Sequence, residues 1–329
     1  MGKSIEDILK QIELERYQRI NEEQSKLDEI NQQRDLARKE WDKRMKMYES
    51  ISNNSSTSPA AGGGGGITLV DTPYVIQDAD AQEFITTANI TTPAQILASD
   101  NLVIALKAAG LWVKMTHIYP LVGGTAFTHK FNIKDLRDLD AAYRLSFYGD
   151  WIHNSNGITG NGTNTYADTY SKTAKSIGIY SRVSTTSILA GQFNVTFDSE
   201  GYAGNPFGFY VAGAGVAFND YEGVSAGSAP YTKMYTVVES TGTKIYRNGI
   251  NAASSNNFTV WFKGSNYVLG ALRYADLDND GIVTGEYIGG FGTANIAFAC
   301  FSNDSLTAQE AANLDTIVQS FQTTLGRQV

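Results

Sequence analysis

Five consecutive glycines, Gly62–Gly66, constrain the fold of this 329-residue chain more than any other feature. Glycine has no side chain to bury and loses the most backbone entropy on ordering, so such a run favours neither a helix nor a strand. The residues just before it are rich in Ser, Asn and Thr, which also favour flexible chain. We therefore predict a flexible linker over residues 51–66 that separates residues 1–50 from residues 67–329.

Charged residues are distributed unevenly between these two parts. Residues 1–50 contain 11 Lys and Arg and 12 Asp and Glu, whereas the rest of the chain contains 15 and 22. No Gly or Pro occurs between Ser4 and Glu49, and strong helix formers dominate, so we predict one long charged helix. A heptad register is half apolar, with Tyr17, Gln24, Asn31, Arg38 and Met45 at one seam position and Ile20, Leu27, Arg34, Trp41 and Tyr48 at the other. This pattern is compatible with a parallel coiled coil or with a single helix lying on another protein, and both predict a docking or oligomerisation element.

Residues 67–329 are predicted to be mostly β, an antiparallel β-sandwich of the lectin-like jelly-roll type. Short runs rich in Tyr, Phe, Val, Ile and Thr alternate with Gly, Asn, Ser and Asp clusters, which is typical of that architecture. The predicted strands are Ala142–Phe147, Lys175–Tyr180, Gln192–Phe197, Phe207–Val211, Lys233–Val238, Lys244–Tyr246, Phe258–Lys263, Tyr267–Leu272 and Asn295–Phe301.

Helices are predicted at both ends of this part. A helical opening segment over 78–119 is expected to start with a capping pair of Asp80 and Glu83, to restart at Thr92-Pro93, and to end with a short helix over Leu111–Tyr119. A C-terminal helix over 306–326 is predicted from the Thr307–Glu310 capping box and an apolar stripe.

Two sets of motifs carry a resemblance to known families. Lys244–Ile250 contains an Asn-Gly hairpin and precedes Tyr267-Val-Leu-Gly, and in this order the segment resembles the laminin-G or concanavalin-A-like jelly roll. Longer runs resemble a module in virion structural and fibre proteins of crAss-like and other phages infecting Bacteroidota. These runs are Asp78–Ile85, Gly110–Met115, Ile118–Gly124, His129–Asp135, Arg137–Ala142 and Gln319–Arg327.

The resemblance implies a head or tail fibre of a bacteriophage. Such a protein would be assembled in the host cytoplasm and incorporated into the virion, docked to other virion proteins by residues 1–50. It would be a homo-oligomer, by expectation a trimer, and would present its lectin-like domain to a host-surface glycan or protein. Two alternatives stay open: a capsid or tail decoration protein with a purely structural role, and a glycan depolymerase on the same fold.

An acidic loop forms the most specific local motif. Asp276, Asp278 and Asp280 precede Gly281 at the spacing of a calcium loop, in which alternate carboxylates converge on one hard cation. The carbonyl of Ile282 and the carboxylate of Glu286 complete the predicted Ca²⁺ set, although Glu286 lies one residue earlier than in an EF-hand. The alternative is an acidic β-turn without metal.

One Gly- and Asn-rich loop is the predicted ligand site. Aromatic rings can stack on the C–H faces of sugars while amide and carboxylate side chains bind hydroxyls. The residues with these properties are Tyr148, Trp151, His153, Asn154 and Asn156. The alternative is an ordinary polar surface loop.

Catalysis is not expected from the sequence. No nucleophile elbow occurs, His117 is placed on a helix and His129 at a strand start, and Cys300 is expected to be an inert core thiol. The carboxylate pairs Asp138/Asp140 and Asp198/Glu200 have same-face strand spacing, which is a weak signal for glycoside cleavage. A net charge of −8 argues against nucleic-acid binding, and no apolar run or leader predicts membrane insertion or secretion.

Overall fold

The computed structural model describes residues 74–182, 188–196, 207–212, 215–218, 233–239, 242–255, 265–277 and 283–328. The predicted helix over 1–50 and the linker over 51–66 lie outside the described residues. So do the predicted strand Phe258–Lys263, the pair Asp198 and Glu200, and three of the predicted calcium ligands, Asp278, Asp280 and Ile282.

The described residues include four α-helices: α1 Ala79–Thr87, α2 Pro93–Ala108, α3 Ala126–His129 and α4 Ala308–Thr324. The carboxylate of Asp78 caps α1 by accepting a hydrogen bond from the Asp80 N–H at 2.9 Å, so the predicted cap at Asp80 is two residues late. The start of α2 at Pro93 is confirmed. The C-terminal helix is confirmed with its capping box, in which Thr307 and Glu310 each bind the other's backbone N–H.

The third predicted helix, over Leu111–Tyr119, is wrong. Gly110 takes φ +68° after α2, and Met115–Tyr119 forms an extended strand instead. The apolar residues of this segment fit either period, and long-range pairing decides between them: Ile118 and Tyr119 pair with Cys300 and Ala299. His117 therefore lies on a strand and not on a helix.

The strands, in chain order, are β1 Met115–Tyr119, β2 Ser146–Tyr148, β3 Ile152–Asn154, β4 Gly157–Thr159, β5 Tyr166–Asp168, β6 Ser176–Ser181, β7 Ile188–Thr196, β8 Phe207–Ala212, β9 Gly215–Phe218, β10 Lys233–Glu239, β11 Gly242–Arg247, β12 Ile250–Ser255, β13 Val268–Leu269, β14 Leu272–Leu277, β15 Val283–Gly289 and β16 Asn295–Ser302. Most of the predicted strands appear in this set, because their β-branched and aromatic residues favour a pleated, half-buried surface.

These strands form two sheets within the described part of the chain. The first sheet has the order β12-β11-β10-β6-β16-β4-β3, and β1 also pairs with β16. The second has the order β15-β14-β7-β13-β5-β2, with β8 on β7 and β9 on β8. Every described pairing is antiparallel except that of β7 with β14. The prediction of a mostly β fold with antiparallel sheets is thus confirmed.

The first sheet is buried on both faces. On one face Tyr180, Tyr246 and Phe298 pack in a cluster with apolar residues of α1, α2 and α4. On the other face Ile179 and Phe301 pack in a cluster with residues of the second sheet, including Ala167 and Leu269. All eight residues of β16 are buried, as expected for a central strand covered on both sides.

The helices, the first sheet and the second sheet therefore form successive layers. In the second sheet β2, β9 and β15 each have one described strand partner, so each lies at an edge. Among the described helices, none is both long enough and apolar enough to cross a membrane.

Candidate functional site

A stacked tyrosine pair stands at the β2 end of the second sheet. Tyr148 on β2 is directly opposite Tyr166 on β5, and their rings stack with centroids 4.6 Å apart and planes 8° apart. Tyr148 is 44% exposed. Because β2 is the last strand in the order of this sheet, the ring face of Tyr148 turned away from Tyr166 is at the sheet edge.

A third tyrosine completes this surface, and we call Tyr148, Tyr166 and Tyr170 the tyrosine patch. The Tyr170 hydroxyl donates a hydrogen bond to Ser146 Oγ at 2.9 Å, and Ser146 is on the same face of β2 as Tyr148. Tyr170 takes φ +55°, a left-handed backbone that is costly for a large side chain. The Asp168 carboxylate stabilises this backbone by accepting from the Tyr170 N–H at 2.8 Å.

An ion-paired network lies beside the patch. Arg273 on β14 pairs with Asp168, and it also contacts Glu286 on β15 at 3.3 Å. The side chains of Arg273 and Asp168 are only 12% and 7% exposed, and Asp168 also accepts from Asn266 Nδ2 at 3.0 Å. Asp168 and the two terminal nitrogens of Arg273 are thus paired, as a buried charge requires, while Arg273 Nε is buried without a hydrogen-bond partner among the described residues.

Burial and neighbouring charges raise the pKa of two patch hydroxyls, those of Tyr166 and Tyr170. Burial raises the pKa of Tyr166, Tyr148 and Asp168 raise it further, and Arg273 opposes them. Burial also raises the pKa of Tyr170; its hydrogen bond with Ser146 opposes this, while its interaction with Tyr148 and the charge of Asp140 add to it. The hydroxyls of Tyr166 and Tyr170 therefore stay protonated at neutral pH. That of Tyr166 can donate a hydrogen bond to a ligand, whereas that of Tyr170 already donates to Ser146.

Trp151, a predicted ligand residue, contacts the backbone of Tyr166 and the ring of Phe147. Its Nε1–H donates to the carbonyl of Tyr166 at 3.2 Å, and its ring stands edge-on to Phe147 at 6.1 Å. A Cβ at Gly270 would come within 2.5 Å of the Trp151 ring, so the ring packs directly on that backbone. Trp151 therefore supports the strand that carries Tyr166 and is only partly open to solvent.

His153 faces the opposite way from Tyr148. Its ring stands edge-on to Phe147 at 4.6 Å, and Phe147 alternates with Tyr148 along β2. His153 Nδ1 lies 3.0 Å from Nδ1 of His129, whose Nε2 accepts the Gly124 N–H at 3.2 Å. An accepting Nε2 places the proton of neutral His129 on Nδ1, which then donates to His153.

This arrangement fits a hydrogen-bonded histidine pair better than a metal site, because Nδ1 of His129 holds a proton where a metal would bind. Burial lowers the pKa of His129 to about 3, with a smaller contribution from His153, and burial also lowers the pKa of His153. Within the described residues, no group of three or more His, Cys, Asp or Glu side chains is placed to hold a metal ion.

Asn154 and Asn156 form the β3–β4 turn. Asn154 Oδ1 accepts from the Asn156 N–H at 2.8 Å, so this amide group shapes the hairpin. The five predicted ligand residues thus divide into three places: Tyr148 on the patch with Trp151 beneath it, His153 against His129, and the two asparagines in the turn.

The two described members of the predicted calcium set, Asp276 and Glu286, do not face each other. Asp276 pairs across the ladder with Gly285 and Glu286 with Ala275, so the side chains of Asp276 and Glu286 point to opposite faces. Glu286 contacts Arg273 instead. The calcium loop stays a prediction for Asp276 with Asp278 and Asp280, the last two of which lie outside the described residues.

Three further sequence-based placements are decided by the structure. Asp138 and Asp140, whose spacing was only a weak signal for a carboxylate pair, are not on a strand, because Asp140 begins a 3₁₀ turn, and both carboxylates bind Arg144. His129 ends α3 and does not start a strand. Cys300 is buried as expected, and burial raises the pKa of its thiol to about 12.

Tyr166, Tyr170 and Arg273 were missed at the sequence level. Tyr166 and Asp168 have the same-face spacing of a strand, but nothing local indicates that Tyr166 stacks on Tyr148. The partner of Asp168 lies 105 residues away, and such pairings have no local signal.

Comparisons with known proteins give structural matches alone. No known protein family matches the chain, and no curated protein matches its sequence. Domain 4 of an extracellular arabinanase from Geobacillus stearothermophilus, solved with arabinotriose, is 15% identical at a TM-score of 0.34, covering 61% of this chain and 98% of that domain.

Two sialidases are similar at the same level. That of Trypanosoma rangeli is 10% identical at a TM-score of 0.36, covering 67% of this chain and 38% of the enzyme. The sialidase NanB of Streptococcus pneumoniae is 16% identical at a TM-score of 0.32, covering 50% of this chain and 27% of the enzyme.

The expectation that the chain is not an enzyme is contradicted and withdrawn, because the matched structures are a domain of an arabinanase and two sialidases. TM-scores this low assign neither a reaction nor a ligand to this chain.

Proposed function

We propose that this chain is a carbohydrate-binding protein that takes a sugar ring on the tyrosine patch. The observation that carries the proposal is the stacked pair Tyr148/Tyr166 at the edge of the second sheet, with Tyr148 44% exposed. An exposed aromatic face supplies the apolar contact that a pyranose C–H face needs, at little entropic cost.

Hydrogen-bonding groups around the ring support the same proposal. The Tyr166 hydroxyl, whose pKa is raised, remains a donor, and the Tyr170 hydroxyl, which donates to Ser146, can accept a hydrogen bond from a sugar hydroxyl. An aromatic platform with a few fixed polar groups is the usual composition of a small-ligand site.

We further propose that the protein is a virion appendage, a head or tail fibre of a phage infecting Bacteroidota. The support is the sequence resemblance of the runs between Asp78 and Arg327 described above. In this proposal residues 1–50 dock to other virion proteins and form the contacts of a homotrimer. The patch contacts the host surface. The assignment of the sandwich to the lectin-like jelly-roll type is part of the same proposal.

The carbohydrate-binding proposal is tested with the full chain and a panel of bacterial surface and plant polysaccharides, followed by titration of oligosaccharides monitored by tryptophan fluorescence. We expect Tyr148→Ala to weaken binding about five- to thirtyfold, since loss of one stacking contact costs roughly 1–2 kcal/mol. Released reducing ends are measured in the same mixtures, so that cleavage is detected alongside binding.

Tyr287→Ala is the matched control. Tyr287 stacks on Tyr274 with centroids 4.6 Å and planes 5° apart and is 55% exposed, but it alternates with Glu286 on the other face of β15. Equal loss with both variants, or unchanged binding with Tyr148→Ala, would exclude the patch as the sugar site.

The virion proposal has its own test. Peptides of this chain should be found by mass spectrometry in purified particles, and native mass measurement of the full chain should give a trimer. A protein absent from particles and monomeric at micromolar concentration would contradict the virion proposal without bearing on sugar binding.

A further inference from the structure

We infer that the tyrosine patch selects neutral glycans and rejects those carrying carboxylates, such as uronic and sialic acids. The inference rests on the proposed function and specifies its ligand class. It is carried by the ion pairing around the patch, where nearly every cation already has a carboxylate partner.

Arg273 is a cation that acts on the Tyr166 hydroxyl, and both of its terminal nitrogens are paired. It pairs with Asp168 and contacts Glu286, and with its side chain only 12% exposed it has no free side toward solvent. A carboxylated sugar would have to displace one of these carboxylates, leaving it unpaired and partly buried, which costs several times what an exposed ion pair returns.

The cations on the Tyr170 side are engaged as well. Arg144 binds Asp138 at 2.9 Å and Asp140 at 3.0 Å, and Lys130 binds Asp138. These pairs are about half exposed, so each contributes little stability, but each keeps a carboxylate beside the cation that an anionic ligand would seek.

Carboxylates act on two of the patch hydroxyls. After burial, Asp168 contributes to the raised pKa of Tyr166 and Asp140 to that of Tyr170. An approaching carboxylate therefore meets negative charge beside both rings.

Lys172 is the cation that could contradict this. It is exposed and lies two residues beyond Tyr170, and no ion pair is recorded for it among the described residues. Its contribution is therefore tested below with Lys172→Gln.

The experiment uses pairs of oligosaccharides that differ only at C6: β-1,4-mannan and β-1,4-mannuronan fragments, and β-1,4-glucan and β-1,4-glucuronan fragments. Affinities of the full chain are measured at low and at physiological salt. We expect the neutral member to bind at least about fivefold tighter, since one like-charge contact near 4 Å costs about 1 kcal/mol in water. The preference should shrink as salt rises.

A charge variant sharpens the test. Glu286→Gln removes one of the two carboxylates on Arg273, so the ratio of neutral to acidic affinity should fall about threefold or more. Glu83→Gln makes the same chemical change on α1, in the helical layer on the far side of the first sheet, and should leave the ratio unaltered.

The outcomes separate the inference from the proposed function. Tight binding of an acidic member, lost in Tyr148→Ala or in Lys172→Gln, would overturn the selectivity while keeping a sugar site. Binding of no member of any pair would overturn the proposed function and the selectivity with it. Neutral preference that disappears in Tyr148→Ala supports both.

Discussion

At the scale of single residues, the histidines show how a buried environment fixes a protonation state. His117 lies among Tyr143, Phe301 and Tyr119, with ring centroids 4.0, 5.5 and 6.3 Å away. Its Nδ1 contacts Thr116 Oγ1, and no partner is recorded for its buried Nε2 in the described part of the chain. Burial lowers the pKa of His117 to about 3, and that of His129 likewise.

These lowered pKa values predict acid sensitivity. Between about pH 6.5 and pH 3 the unfolded chain binds protons at His117 and His129 that the folded chain does not, so the free energy of unfolding falls as pH falls. Each histidine contributes a slope of about 1.4 kcal/mol per pH unit in that window and none above it. Urea unfolding followed by tryptophan fluorescence at pH 7.5, 6 and 5 measures this slope.

His117→Phe removes one of the two groups. Phenylalanine suits the aromatic surroundings and eliminates the buried nitrogen, so stability at pH 7.5 should change by less than about 1.5 kcal/mol while the acid slope falls by about half. An unchanged slope in this variant would show that His117 is protonated in the fold.

At the scale of elements, local chemistry determines where strands and helices end. Asn248 and Gly249 both take positive φ, +50° and +74°, which is the two-residue turn that an Asn-Gly sequence favours between β11 and β12. The turn also packs on α4, since a Cβ at Gly249 would lie 3.2 Å from the Asp315 side chain.

This turn predicts opposite results for two neighbouring substitutions. Gly249→Ala forces a Cβ into a positive-φ position against α4 and should lower the free energy of unfolding by about 1–2 kcal/mol. Asn248→Gly keeps a residue suited to positive φ and should change it by less than about 0.5 kcal/mol. Thermal unfolding of both variants checks this; equal effects would mean that the turn geometry is not what matters.

The difference between local signals and long-range pairing explains how much of the fold and of the candidate site could be predicted from the sequence. Elements with their own local signal were found: the Asn-Gly hairpin, the Pro93 helix start and the Thr307–Glu310 capping box. The β1 segment was missed because its identity as a strand depends on β16, about 180 residues later in the chain. The candidate site was predicted only in part for the same reason. Tyr148 lies beside a Gly- and Asn-rich loop that the sequence shows, but Tyr166 and Arg273 come close to it only through sheet pairing.

At the scale of the whole molecule, Arg327 connects distant segments. Its guanidinium is buried and donates to the carbonyls of Leu121, Ala297, Ser155 and Pro120 at 3.0, 3.1, 3.3 and 3.4 Å. Burial lowers the pKa of Arg327 to about 9, which still leaves it charged at neutral pH. The end of the described chain thereby holds the β1 exit, the β3–β4 turn and β16 together.

Arg327→Lys should therefore destabilise the molecule even though it keeps the charge. A lysine ammonium has three donors on one atom and does not reach carbonyls spread around a planar fork, so we expect a loss of about 2–3 kcal/mol. Arg137→Lys, at an exposed pair with Asp135, is the control and should cost less than about 0.5 kcal/mol. Comparable losses in urea unfolding would contradict the connecting role of Arg327.

The position of β16 has a consequence for biosynthesis. This strand pairs with β1, β4 and β6 and separates the two apolar clusters, yet it follows the other described strands in chain order. A chain translated only up to Thr293 contains residues of both apolar clusters but lacks β16, the strand that separates them. Premature stop codons late in the reading frame should thus yield a product cleared by proteolysis, and not a shortened protein that still binds its ligand.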